Sequence, residues 1–314
     1  MGRIAVTGSV AFDTIMVFPG RFGDHILPDK THQINVSFLV GDLVRLRGGT
    51  AANIAYTLAL LGERPLLCAA AGHDFDEYDA ALTAAGVDTS TVLRCDDLPT
   101  GGAYITTDQA DNQITAFHPG AMSRAAAVDL GAIADIEVVV ISPDAPDAMR
   151  AHTEQAVAGG HRLVFAPAQQ LPALPDDMLA AGLDAAWLIA GNDYELEMIR
   201  SRSGRSIDDL RSGGAIVAVT LGGEGSVLHT PDGEEQIPVA PIETLVDPTG
   251  AGDAYLAGLL TGLRRRLPIP VAGRIAALAA AHAVERSGPQ GHAFTAAEFA
   301  ERYRSAFGED LPAS

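Results

Sequence analysis

The sequence predicts an α/β fold: a central, mostly parallel sheet covered by helices on both faces, with a small β-sheet lid. Three observations predict it. Short apolar runs alternate with helix-length segments, as at 138–141, 146–158 and 163–165, which is the spacing of βαβ units. Two segments, 33–47 and 103–117, break that rhythm with polar–apolar alternation, the mark of half-exposed strands. No Ser/Gly/Pro-rich linker, repeat or low-complexity tract divides the 314 residues, so one large domain is expected over 1–314.

Residues 3–7 form a short strand ending at Gly8, and Asp13 falls in the turn beyond it. The G-x-G-x-x-G spacing of a dinucleotide fold is absent there. Residues 14–47 are less regular; 33–38 and 43–47 alternate as strands of the projecting sheet. Gly48-Gly49-Thr50-Ala51-Ala52-Asn53 opens a helix to about Leu61, with Gly62 past its end. Residues 65–70 are a buried strand, and 77–85 a helix closed by Gly86. Residues 103–107 and 114–117 make a hairpin around Asp111 and Asn112. Strands at 138–141 and 163–165 flank a helix over 146–158; a strand at 185–190 precedes a helix at 194–200. Strands at 216–220 and 226–229 follow, then helices over 250–265, 270–285 and 296–307. The lid occupies about 14–47 and 98–118. Its two alternating segments are expected to pair over the carboxyl ends of the strands, where open α/β sheets bind ligands.

Composition excludes several classes of function. Apolar residues make up 47% and the formal charge is −19; so acidic a surface disfavours nucleic acid or an anionic membrane as partner. No apolar run reaches the roughly 18–20 residues that span a bilayer, and the first residues read as a strand, not a signal peptide. Cys68 and Cys95 lack CxxC spacing and read as buried thiols of a cytoplasmic protein. The histidines show no zinc-ligand spacing.

The chemistry centres on Asp247-Pro248-Thr249-Gly250-Ala251-Gly252-Asp253. Pro248 ends an extended segment, and Gly250 and Gly252 let the backbone turn and approach a ligand. The free amides at the start of the following helix suit a phosphate. Asp253, in that first turn, is placed to take a proton from an attacking hydroxyl; taken alone, it reads first as a carboxylate favoured by the helix dipole. Gly48 and Gly49 admit a polar ligand, and Asn53 offers both a donor and an acceptor to vicinal hydroxyls. Asn192 and Glu195 read as a helix cap and its capping box. Thr220, Gly222 and Gly225 form a strand followed by a glycine turn. No P-loop is present.

Taken together, Asp-Pro-Thr-Gly-Ala-Gly-Asp and Gly-Gly-Thr-Ala-Ala-Asn-Ile-Ala resemble the C-terminal and N-terminal signatures of the ribokinase-like (PfkB) family of sugar and nucleoside kinases. The resemblance implies a three-layer ribokinase-like sandwich and a kinase using ATP and Mg2+, with a K+ site as the family often has. It implies that Asp253 is the base, within an anion hole of Gly250, Ala251 and Gly252. Asp13, Gly48, Gly49 and Asn53 would hold the sugar of the acceptor. Asn192, Glu195, Thr220, Gly222, Gly225, Thr249 and His282 would line the nucleotide. Glu195 would reach magnesium through water, and Asp247 a monovalent cation. With no motif lysine, Arg45 and Arg47 are candidate phosphate clamps, although exposed strand arginines are the plainer reading. Residues around Phe18, Phe38, Arg47 and Phe117-His118-Pro119-Gly120 resemble the bacterial adenosine kinases, which implies transfer to the 5′-hydroxyl of adenosine. Phe117 is the candidate stacking residue, since bases stack on rings for about 1–3 kcal/mol each. Gly101-Gly102-Ala103 replaces a second lid aromatic, and Tyr104 should face the other way; other nucleosides or a sugar such as ribose remain open as acceptors. A non-catalytic nucleoside sensor is the rival from another class. A homodimer through the lid and a monomer are both compatible with the sequence.

Overall fold

In the computed structural model, which describes residues 2–25, 36–110 and 112–312, β1 (Arg3–Thr7) is a strand of the main sheet covered on both faces. Its side chains alternate between two cores: Ile4 and Val6 enter one, Ala5 the other. β2 (Ala11–Val17) and β3 (Asp42–Gly48) then project as an antiparallel pair. The chain returns through α1 (Thr50–Leu60) to β4 (Pro65–Cys68), parallel to β1. β5 (Ala70–Gly72), α2 (Asp76–Ala85) and β6 (Leu93–Cys95) form a small flank. β7 (Gly101–Thr107) and β8 (Gln113–His118) rejoin the projecting sheet.

The main sheet resumes with β9 (Ile136–Ile141), α3 (Pro146–Ala158), β10 (Arg162–Phe165), α4 (Asp176–Ala185) and β11 (Ala186–Asn192). α5 (Asp193–Ser203), α6 (Ile207–Ser212) and β12 (Ile216–Thr220) follow, then β13 (Ser226–Thr230) and β14 (Gly233–Ile237). The chain closes with α7 (Ala251–Arg264), α8 (Ile269–Val284) and α9 (Ala296–Phe307). Among the described residues the main sheet has the order β14-β13-β12-β11-β10-β9-β1-β4, antiparallel only at the β12-β13-β14 edge. Val138 and Val140 of β9 face the core under α1, α7 and α8, and Val139 and Ile141 face the core under α3 to α5. This gives the three-layer, ribokinase-like arrangement the sequence predicts.

The lid is a four-stranded sheet, β3-β2-β7-β8. β2 was not foreseen, and it changes two expectations. The two alternating segments do not pair directly, because β2 lies between β3 and β7, antiparallel to one and parallel to the other. Asp13 stands on a strand, not in a turn. Of the strand expected at 33–38, residues 33–35 lie outside the described residues, as does Asp111, and 36–38 have no strand pairing. The buried run at 65–70 divides at Ala69, where the chain leaves β1 to pair β5 with β6. α4 also escaped the sequence reading, since it runs straight into β11 at Ala185–Ala186 without a turn residue between them.

Candidate active site

Where the lid meets the carboxyl ends of β1 and β9 lies a cleft of about 610 Å3, lined among others by Asp13, Gly49, Asn53, Phe117, Thr249, Gly250, Gly252 and Asp253. Strand register explains the lid wall. Asp13 is paired with Ala103, and Ala103 with Phe117, so one row across the sheet turns all three to the same face. Tyr104, one residue along, is half exposed and does not line the cleft. Gly48 makes room for Asp13: a Cβ there would stand 2.4 Å from Asp13 Oδ2. Burial and the charge of Asp247 raise the Asp13 pKa.

The floor is built by two helix starts. Gly49 takes φ +92° as the cap of α1, and a Cβ there would lie 2.6 Å from the Ser9 carbonyl oxygen. Gly250 takes φ +80° as the cap of α7, so the backbone turns at a conformation only glycine adopts cheaply. The N–H groups of Gly250, Gly252 and Asp253 have no partner among the described residues. Ala251 departs from expectation: its N–H donates to the Pro248 carbonyl at 3.2 Å, closing the turn, and it does not line the cleft. The free donors are those of Gly250, Gly252 and Asp253, at the positive end of α7.

Asp253 sits in the first turn of α7, half-buried. Asn53 Nδ2 donates to its Oδ2 at 2.8 Å. Gln290 Nε2 in turn donates to Asn53 Oδ1 at 2.9 Å and to the Tyr78 hydroxyl, whose O–H is held by the Gly48 carbonyl at 2.8 Å. Both ends of the Asn53 amide are thus occupied, so its first task is to orient the acid. Burial pushes the Asp253 pKa up to about 7, and the charge of Glu195 adds to the rise while Asn53 opposes it. An acid poised near neutrality beside free N–H donors can take a proton from an alcohol while those donors hold incoming negative charge.

Of the nucleotide-side candidates Thr249 lines this cleft, while Asn192, Glu195, Thr220, Gly222, Gly225 and His282 lie outside it. Asn192 and Thr220 are register partners at the ends of β11 and β12. Asn192 and Glu195 form the expected capping box, each side chain accepting the other's backbone N–H, at 2.8 and 2.9 Å. Gly222 and Gly225 take φ +57° and +94° in the turn after β12. His282 packs against the rings of Phe294 and Phe299, with Arg302 at 3.3 Å, and burial pushes its pKa down to about 4. Asp247 accepts the N–H groups of Thr249 and Gly288, each at 2.9 Å, so its first role is to tie the turn to the 288 loop. Arg45 pairs with Asp74 and lies 3.6 Å over the Phe12 ring. Arg45 and Arg47 line a second cavity, of about 470 Å3, on the α2 side of the lid.

No cluster of three or more metal-ligating side chains occurs among the described residues. The described residues thus offer no protein cage for a divalent ion, but the Glu195 carboxylate fits an ion that keeps its water and is bound largely by phosphate oxygens.

Residues 7–295 match the model of the pfkB family of carbohydrate kinases. The chain belongs to that family. It is a kinase that transfers phosphate to a hydroxyl group. The pfkB chain is 31% identical to a nucleoside kinase of Methanothermobacter thermautotrophicus, over 98% of either protein. The solved structure of Burkholderia thailandensis nucleoside kinase in complex with inosine is 38% identical, with TM-score 0.88 over 98% of this chain and 99% of that one. The same kinase in complex with ADP-inosine gives 39% and 0.87, over 99% and 98%.

Residues in and beside the cleft also escaped the sequence reading. Gln290 belongs to no motif, and only the fold brings it to Asn53. Gln169 and Asp144 line the cleft from the loops after β10 and β9. Asp144 carried a usable signal: it is the first acid beyond a buried strand's carboxyl end, where such sheets bind ligands.

Proposed function

We propose that this kinase transfers the γ-phosphate of ATP to the 5′-hydroxyl of a nucleoside, with adenosine and inosine as the principal acceptors. The observation that carries the reading is one cleft holding Asp253, the free α7 amides, Asp13 and Phe117 together. Asp13 suits vicinal sugar hydroxyls, Phe117 suits a flat ring, and Asp253 accepts the proton as the N–H groups of Gly250, Gly252 and Asp253 hold the phosphoryl charge. Magnesium, when bound with ATP, neutralises phosphate charge, and Glu195 is the residue here that would face its water. Closure of the lid, which carries the row Asp13–Ala103–Phe117, over the acceptor excludes water from the transfer.

Ala103 opposite Phe117 favours a second reading, a broader acceptor range, because only one aromatic wall meets the ring. Adenosine, inosine, cytidine, ribose and fructose offered with ATP, with ADP formation followed, test both. Highest kcat/KM for the purine nucleosides is expected; preference for the free sugars would overturn the nucleoside assignment.

A further inference from the structure

The cleft holds a second buried acid that phosphoryl transfer does not use. Asp144 follows β9 and is 1% exposed. From β1 the chain moves out to β4, then returns on the opposite side at β9; ligands of open α/β sheets bind at such a switch point. The Ser9 N–H donates to the Pro143 carbonyl at 2.8 Å and fixes the two strand ends together. Asp144 Oδ1 accepts the Ala145 N–H at 2.8 Å, whereas Oδ2 has no partner among the described residues, and the residue lines the cleft. Gln170 Nε2 donates to the Asp144 backbone carbonyl at 2.6 Å, so the segment is held. A buried polar atom left unpaired costs about 1–3 kcal/mol, a cost that a ligand atom would remove.

Asp144 reaches the cleft from the loop after β9, whereas Asp253 reaches it from the first turn of α7, and the neighbouring charge of Asp147 adds to the effect of burial on Asp144. No cation pairs with it among the described residues, and an uncompensated carboxylate in such a place is unfavourable. Burial accordingly pushes its pKa up to about 8. At neutral pH the group is chiefly the acid, with an O–H to donate.

We propose that Asp144 selects the acceptor by donating a hydrogen bond from Oδ2 to an acceptor atom on the nucleoside's heterocycle, a ring nitrogen or oxo group of a purine. This rests on the nucleoside reading above. Phe117 tolerates any flat ring, and Asp144 distinguishes one with an acceptor at its edge from one without.

The test compares wild type, Asp144→Ala and Asp144→Asn with inosine, adenosine and a phenyl riboside, whose ring has no acceptor atom, at saturating ATP. Thermal unfolding checks the fold, and Asp144→Val refills the volume should the alanine variant unfold. Truncation is expected to raise KM for inosine and adenosine about tenfold or more, the loss of one hydrogen bond at a buried site, while KM for the phenyl riboside stays put. Asp144→Asn, presenting N–H in place of O–H, keeps most of the preference. An equal effect on all three acceptors, no effect at all, or an asparagine variant as poor as alanine overturns the proposal. Wild-type turnover of ribose or fructose but of no nucleoside overturns the nucleoside reading and this inference together; nucleoside turnover with an unchanged preference in the truncated variants overturns the role of Asp144 alone.

Discussion

Asp253 is asked to do opposite things for stability and for chemistry. Its folded pKa of about 7 lies above the ordinary 3.8, so the folded chain holds this proton more tightly than the unfolded one. The sign follows: stability falls as pH rises from about 4 to about 7, and the penalty is complete above that. Asp253→Asn removes the penalty. Its melting temperature is expected to match wild type near pH 4 and to exceed it near pH 8. Its kcat is expected to fall by about a hundredfold or more, the usual contribution of a general base, and near-normal turnover would remove the base assignment. Because the base works ionised, wild-type kcat/KM should rise with pH through about 7. Asn53 lowers the Asp253 pKa by donating to it. Asn53→Ala should therefore move that acid limb to higher pH, and Gln290→Leu, which frees the Asn53 amide, should move it the same way by less. An unmoved limb in both would assign these residues to packing only. The motifs Gly-Gly-Thr-Ala-Ala-Asn and Gly-Ala-Gly-Asp were legible in the sequence, but their hydrogen bond was not, since 200 residues of chain separate its partners.

At the scale of elements, α7 carries the chemistry at one end and packing along its length. Gly258 and Gly262 lie one turn apart against Ala276 and Ala272 of α8; a Cβ at either glycine would stand 2.7 or 2.6 Å from an alanine Cα. The small residues let the helices approach backbone to backbone. Gly262→Ala is expected to cost about 1–3 kcal/mol in denaturant unfolding, as overpacking does. Gly252, in the first turn of the same helix, has nothing within 4 Å of its Cβ position. Gly252→Ala should leave the unfolding midpoint unchanged or higher, since alanine favours helix, while crowding the amides and lowering kcat. Equal destabilisation by the two changes would contradict this division. The Ala-rich helix over 250–265 was plain from its composition, whereas β2 was not: its inward side reads Phe12 and Thr14, its cleft side Asp13 and Ile15, and no strict polar–apolar alternation marks it.

Across the whole molecule, Arg264 ties the far end of α7 to the sheet. Its side chain is 3% exposed. It pairs with Glu63, reaches Glu137 at 3.1 Å and donates to the Gly2 carbonyl at 2.5 Å. Arg264→Ala takes away the cation that Glu63 and Glu137 share, leaving Glu63 with Arg265 at 3.3 Å and Glu137 with Arg162 at 4.0 Å. Breaking such a cluster is expected to cost about 3–5 kcal/mol, read by chemical denaturation, with KM of the folded fraction unchanged; an effect within about 0.5 kcal/mol, as for a surface change, would show the cluster to be dispensable. The sequence by itself determined the layered α/β architecture, the order of most elements and the two glycine-led helix starts, because periodicity and turn chemistry are local and survive in the linear text. Only the tertiary structure decided that β2 divides the lid, that Ala251 turns its N–H away, that Gln290 holds Asn53, and that Asp144 joins the cleft. Those outcomes depend on register and on strand ends meeting across the sheet, and neither is encoded by neighbours in the chain.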